Sequence, residues 1–369
     1  MPIINTRGAA SAKAFGFTSG AGGGLYAFTS FTFRTTNLRG YIGPTLAQCL
    51  AFYDTATYPW LNSTSFFNTT TSGIQVWTVP ATGGYRILAQ APNGLGDSGT
   101  LGAGGSGARI TVDITLTEGE KIYILCGQPG NPSPSNTSAA GSGGTFVVRV
   151  PAAYLTNPES GLSSVTNTQV ICVAGAGARY QNGYQYTSHP SGVTQEGGAS
   201  NRVIGGGRSS VTGGSGPNGA AGMYYPAFIT TSDPNNAFIK TWNAYDDPSS
   251  YSSGATGNAY AIAYPFVRGG YGSFGYNSSS YSSANSGGFG GGGGQNTQNS
   301  YSCGSGGWIG GYETDSATSS YNQRTYATNN ATCGGAGGSF INGSAAGFIQ
   351  TVTNSVSSES YGFVVVTKL

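Results

Sequence analysis

The apolar positions of this chain fall into short runs with the two-residue period of strands. In Arg109-Ile110-Thr111-Val112-Asp113-Ile114-Thr115-Leu116, the residues Ile110, Val112, Ile114 and Leu116 share one face and polar groups the other, which predicts a half-buried strand. Residues 74–79, the turn Pro80-Ala81-Thr82-Gly83-Gly84 and residues 85–90 read as strand, turn, strand. Glu118-Gly119-Glu120 turns the chain into a strand over 121–126, and the continuous β-branched runs 145–150, 169–174 and 361–366 predict three more. Phe66 and Phe67 open a further strand-like stretch. Nearer the start, Phe15, Phe17, Tyr26, Phe28, Phe31 and Phe33 alternate with small residues, and Phe31-Thr32-Phe33 reads as a short strand after a glycine-rich arm. The best helical candidate is 43–53, where Pro44 and Thr45 suit the start and Leu46, Cys49, Leu50 and Tyr53 share a face.

Many short strands, tight turns and almost no helix predict an all-β fold, a β-sandwich. The expected division has three parts. Residues 1–71 form an N-terminal arm with a short helix, used for assembly or anchoring. Residues 72–175 form the sandwich, closed by a strand within 360–369. Residues 176–359 form a glycine-rich insertion or cap whose ends return to one sheet.

Composition sharpens the third part. The chain holds 64 glycines and 24 tyrosines with only 8% charged residues, and the glycine peaks at 287–294, Gly-Gly-Phe-Gly-Gly-Gly-Gly-Gly. Glycine is entropically the costliest residue to order and brings no side-chain burial, so such a run alone would stay unstructured. Here it is interleaved with Tyr, Phe, Trp, Ile and Val, which predicts an ordered, backbone-paired region. Extended helices of three residues per turn have no internal hydrogen bonds, and without side chains they can pack closely and satisfy one another. Loops between them would display Tyr271, Tyr276, Tyr281, Phe289, Tyr301, Trp308 and Tyr312 as surface recognition residues. The alternative, that these aromatics simply cover the packed glycines, stands beside it.

Charge and chemistry add mainly exclusions. A net charge of +2 is too small and scattered for a nucleic-acid binder. No stretch reaches the roughly 18–20 apolar residues of a membrane span, and the first residues carry no continuous apolar segment typical of a secretory signal. The five cysteines, Cys49, Cys126, Cys172, Cys303 and Cys333, form no CxxC, and His189 is the single histidine, so neither metal nor other cofactor is expected. The cysteines read as small buried hydrophobes, with a Cys303–Cys333 pair left open. The Asn-X-Ser/Thr triplets at Asn62, Asn68, Asn277 and Asn330 read as incidental. Tyr85, Arg86 and Arg109 could form a substrate clamp or be solvated strand edges. His189, Asp113 and Asp246-Asp247 make no recognisable triad or acid–base pair. Asp233-Pro234-Asn235-Asn236 and Asp246-Asp247-Pro248 read as turns, and 102–107 lacks the Lys-Ser/Thr of a phosphate loop. No enzymatic activity is expected.

The order of several motifs carries a resemblance. Trp77-Thr78-Val79-Pro80-Ala81-Thr82-Gly83-Gly84-Tyr85-Arg86-Ile87 is followed by Gly107-Ala108-Arg109-Ile110, then by the block from Thr117 to Gln128. Next come Gly141-Ser142-Gly143-Gly144-Thr145-Phe146-Val147, the block from Val170 to Arg179, and the run 287–294. Over residues 72–369 this resembles the glycine-rich extracellular domain of the anaplastic and leukocyte receptor tyrosine kinases, which implies a jelly-roll sandwich carrying polyglycine-II helices. The chain lacks that family's transmembrane helix and kinase, so receptor signalling is not implied. The opening residues 1–16, the block 43–49 and the strand 73–77 are similar to bacteriophage virion proteins, and some phage adhesins carry polyglycine-II sandwiches at fibre tips. The resemblance implies a structural component of a phage virion assembled in the host cytoplasm: a tail fibre, tip adhesin or baseplate appendage contributing to host attachment. Its implied partners are other virion proteins, a host-surface glycan or protein, and further copies of itself, with no nucleic acid and no membrane insertion. A capsid-surface fibre or decoration protein, a secreted glycine-rich binding module and a glycan-cleaving enzyme are the competing readings.

Overall fold

The computed structural model describes residues 24–95, 104–132, 140–177, 208–210, 220–223, 228–230, 263–277, 280–282, 286–294, 304–308, 310, 337–342, 346–351 and 360–369. For 208–210, 228–230, 275–277, 280–282 and 346–351 this description is of the backbone. The first eight strands are β1 (Ser30–Arg34), β2 (Phe67–Thr69), β3 (Gln75–Thr78), β4 (Gly83–Gln90), β5 (Ala108–Leu116), β6 (Lys121–Leu125), β7 (Thr145–Arg149) and β8 (Val170–Ala174). Then come β9 (Arg208–Ser210), β10 (Phe228–Thr230), β11 (Gly275–Asn277), β12 (Ser280–Ser282), β13 (Phe340–Ile341), β14 (Ala346–Thr351) and β15 (Phe363–Lys368). Two antiparallel sheets dominate: a five-stranded one ordered β1-β15-β4-β5-β14 and a six-stranded one ordered β13-β8-β7-β6-β3-β2. The all-β expectation holds.

The side-chain alternation assigns each face. From the five-stranded sheet, Phe31, Phe33, Tyr85, Ile87, Ala89, Ile110, Val112, Val364 and Val366 point into one core, where they meet Trp77, Ile122, Ile124, Val147 and Cys172 of the other sheet. The intervening residues of the six-stranded sheet, Val76, Tyr123, Leu125, Phe146, Val148 and Val173, build a second core on its opposite face with Leu162, Val165, Phe266, Phe289 and Phe340. A sheet covered on both sides needs apolar residues at consecutive positions, which is why β7 and β8 read as unbroken apolar runs. A bulge opposite Val147 and Val148 leaves Ile171 as the extra residue of β8, so Ile171 and Cys172 both enter the first core.

Three expectations are corrected. The boundary at residue 71 falls inside a single core: from residue 24 the supposed arm is part of the sandwich. The helix α1 (Leu46–Phe52), with a capping box in which Thr45 and Gln48 bond each other's backbone N–H, buries Cys49 against Phe31, Phe33, Trp60 and Phe67. Tyr26 stacks on Trp60 at 5.1 Å and Phe28 packs 5.3 Å from Trp77. Second, β3 and β4 belong to different sheets, so residues 79–82 cross between layers instead of closing a hairpin. Third, the glycine-rich stretch supplies strands itself: β14 pairs with β5 and β13 with β8.

The edge strand β1 is guarded. The Arg34 N–H donates to the Tyr53 hydroxyl (2.7 Å), and Gln75 Nε2 donates to the Arg34 carbonyl (2.9 Å), occupying groups that would otherwise invite another strand. Within the sheet, β15 lies between β1 and β4, in register from Ser30↔Thr367 and Tyr85↔Lys368 to Arg34↔Phe363 and Gln90↔Phe363. Deleting 360–369 therefore removes an internal strand and two fully buried valines, each worth about 1.5–3 kcal/mol of burial. The truncated chain should lose cooperative thermal unfolding and aggregate on expression; a soluble product with unchanged melting would contradict this placement of β15.

Candidate functional site

The sandwich has two unlike poles. Strands β1, β4, β6 and β8 end, and β5, β7, β13 and β15 begin, at one of them, and there β4, β6 and β8 run on into, and β5, β7 and β13 are preceded by, glycine-containing chain. At the opposite pole Leu25 N–H donates to the Pro80 carbonyl (2.7 Å), Lys368 N–H to Thr29 (2.8 Å) and Leu369 N–H to Gly84 (2.9 Å). The chain therefore enters the described body at residue 24 on the side away from the glycines.

At the glycine pole, segments far apart in sequence bond backbone to backbone. Gly288 N–H donates to Gly141 O and Gly141 N–H to Gly293 O, at 2.9 and 2.8 Å. Gly143 N–H donates to Gln128 O, Gly144 N–H to Gly290 O and Gly306 N–H to Ser142 O, at 2.9, 2.9 and 2.8 Å. Segment 304–308 also exchanges bonds with Ala176, Met223, Gly293 and Gly338. A strand in a sheet bonds two neighbours; these segments bond three or more, so the array extends in two directions across its section. The run 287–294 doubles back at Gly290 and Gly291, whose φ values of +105° and +86° suit glycine, and both of its limbs face Gly141.

Close approach is what makes the array possible. A Cβ on Gly143 would collide with the Phe289 carbonyl, one on Gly288 with the Gln128 carbonyl and one on Gly306 with the Gly290 carbonyl. The described residues from 286 to 294 and from 304 to 307 are buried, as are 140–144.

The aromatic residues expected at the surface divide differently. Phe289 is fully buried and Tyr271 is 5% exposed, which corrects their assignment to surface loops. Phe289 joins the second core and donates its N–H to Gly40 O (2.6 Å), because its glycine neighbours let the ring reach the sheet. Trp308 is partly buried and stacks on Phe340 at 4.0 Å, so its indole is a packing element. Tyr276 and Tyr281 are register partners in the β11–β12 pair. Tyr301 and Tyr312 lie outside the described residues, as do His189, Asp233–Asn236, Asp246-Asp247, Cys303 and Cys333.

The charged candidates are on the outer face of the five-stranded sheet. Arg86 pairs with Asp113 at 2.7 Å, and that hydrogen bond holds the Asp113 carboxyl below its ordinary pKa. Arg109 Nε donates to Gln90 Oε1 at 2.8 Å, while Tyr85 points inward and donates to the Ala81 carbonyl at 2.7 Å. The three residues therefore do not converge. Burial pushes the Cys49 and Cys172 thiols up to about 12, and Cys126 higher still, with all three free and protonated at neutral pH. Among the described residues, no group of three or more His, Cys, Asp or Glu is placed to hold a metal ion. No known protein-family profile matches the chain.

The sequence signal that the 287–294 run alone does not convey is the placement of other glycines at strand ends: Gly127 after β6, Gly143 and Gly144 before β7, Gly175 after β8. The close approach makes a direct test. Gly288→Ala should strand backbone groups at a cost of about 1–3 kcal/mol each, lowering the urea midpoint, because its methyl lands on the Gln128 carbonyl. Gly83→Ala, whose Cβ would have its nearest neighbour at 3.9 Å, should leave the midpoint within error. Equal midpoints for the two variants would contradict the array.

Proposed function

We propose that this chain is a non-enzymatic structural protein of a bacteriophage virion, a tail fibre, tip adhesin or baseplate appendage that contributes to host attachment. The observation that carries the reading is the two-pole layout: residue 24 and Leu369 lie at one end of the sandwich, and the glycine array lies at the other. On this reading residues 1–23 dock the protein to other virion proteins, and the glycine pole faces a host-surface glycan or protein. The sandwich is of the jelly-roll type, and the glycine segments are polyglycine-II helices; bonding to three or more neighbours is what such helices do and strands do not. The sequence similarities of residues 1–16 and 43–49 to virion proteins supply the phage context. An ordered backbone array suits the role because it gives loops a rigid base anchored on the second core.

A gold-labelled antibody against the purified protein, applied to a lysate of producing cells, tests this by electron microscopy. Label is expected on one structure of phage particles, at the tail or its tip. Label confined to a cell wall or matrix, with no decorated particles, would overturn the virion reading.

A further inference from the structure

Where β1 runs out toward the glycine pole, residues 33–40 lie alongside 126–129. The Cys126 thiol donates to the Phe33 carbonyl at 3.4 Å, and Gly40 N–H donates to the Pro129 carbonyl at 3.1 Å, closing the two stretches at both ends. Between these two bonds the chain does something costly. Thr36 and Asn37 take φ values of +56° and +60°, the left-handed region that a β-branched residue rarely enters. The turn is held by Leu38 N–H donating to the Thr35 carbonyl at 3.1 Å.

Inside the same bracket Gln128 is fully buried, and neither Oε1 nor Nε2 has a hydrogen-bond partner in the protein. Its backbone is satisfied, with N–H to Phe289 O at 2.9 Å and C=O from Gly143 N–H at 2.9 Å, so the side chain alone is left over. The Oγ1 atoms of Thr35 and Thr36 are likewise buried and unbonded. A buried amide or hydroxyl left unpaired is costly, and buried polar groups in folded proteins are almost always hydrogen-bonded, to protein or to ordered water.

We propose that Gln128, Thr35 and Thr36 form an internal hydration site that binds ordered water at the junction of the sandwich and the glycine array. The donor and acceptor count selects the ligand. Gln128 offers an NH2 that needs an acceptor and a carbonyl that needs a donor, and each threonine hydroxyl can do either. A bare cation satisfies the oxygens and leaves the NH2 unpaired; an anion satisfies the NH2 and repels the carbonyl. Water does both, and a buried water makes about three such bonds. The bound water holds the left-handed turn at Thr36 and Asn37 in place, and with it the spacing of Gly40, whose carbonyl receives the Phe289 N–H at 2.6 Å.

A high-resolution crystal structure of the wild-type chain should show a solvent peak within hydrogen-bond reach of both Gln128 Oε1 and Nε2. Absence of such a peak, or a peak replaced by an anomalous scatterer on soaking with rubidium, would overturn the proposal. In solution, water-oxygen magnetic relaxation dispersion counts long-lived internal waters. Gln128→Met, close in size and without the amide, should lower that count by at least one relative to wild type, and an unchanged count in a folded variant would contradict it. Should Gln128→Met fail to fold, Thr35→Val carries the same comparison.

Discussion

The hydrogen bonds between Gly141 and the two limbs of the 287–294 run can form only where no side chain stands between the backbones. Each places an N–H of one segment against a carbonyl of another at under 3 Å, and each is buried. A single methyl at Gly143, Gly288 or Gly306 would occupy the space of the opposing carbonyl. Ordering glycine costs more backbone entropy than ordering any other residue, so the array holds only if nearly all its backbone groups are paired. That requirement explains why its segments come from eight or more distant parts of the chain: closing such an array needs neighbours on several sides.

The sandwich supplies those neighbours. Its strands end at a common pole with fixed spacing and direction, so the glycines that follow β6 and β8 and precede β7 start out aligned. In return the array covers the six-stranded sheet, with Phe289 passing from the glycine run into the second core beside Leu125 and Phe146. Sandwich and array are thus interdependent, and the boundary between them is a shared core. The first core is unusually aromatic: Tyr26, Phe28, Phe31, Trp60 and Trp77 pack ring against ring near the opposite pole, tying residues 24–33 to the body.

Much of this was legible in the residues. Strict alternation in Arg109–Leu116 marks β5 and its inward face, because one side of that sheet is covered by the core and the other is not. Thr45 ahead of Leu46, Cys49 and Leu50 marks α1, the longest helix among the described residues, and its buried side. The sheet assignment of β3 and β4 was not legible, since Pro80-Ala81-Thr82 signals a change of direction and says nothing of which layer receives the next strand. Nor was β14: Ala346-Gly347-Phe348-Ile349-Gln350-Thr351 has too few apolar residues to stand out, and it owes its place to pairing with β5. The recognition residues were the least legible. An aromatic in a glycine run reads as a displayed side chain, yet Phe289 is buried because flanking glycines let backbone and ring approach the sheet together, and Tyr271 is buried edge-on against Tyr264.

The central claim is that the glycine segments are locked by backbone pairing across the array. Native-state amide hydrogen exchange resolves it directly. Gly141, Gly143, Gly144, Gly288, Gly293 and Gly306 should exchange as slowly as the amides of β6 and β7, opening only with global unfolding. Exchange of these six amides at the rate of an unstructured peptide, while β6 and β7 remain protected, would contradict the account.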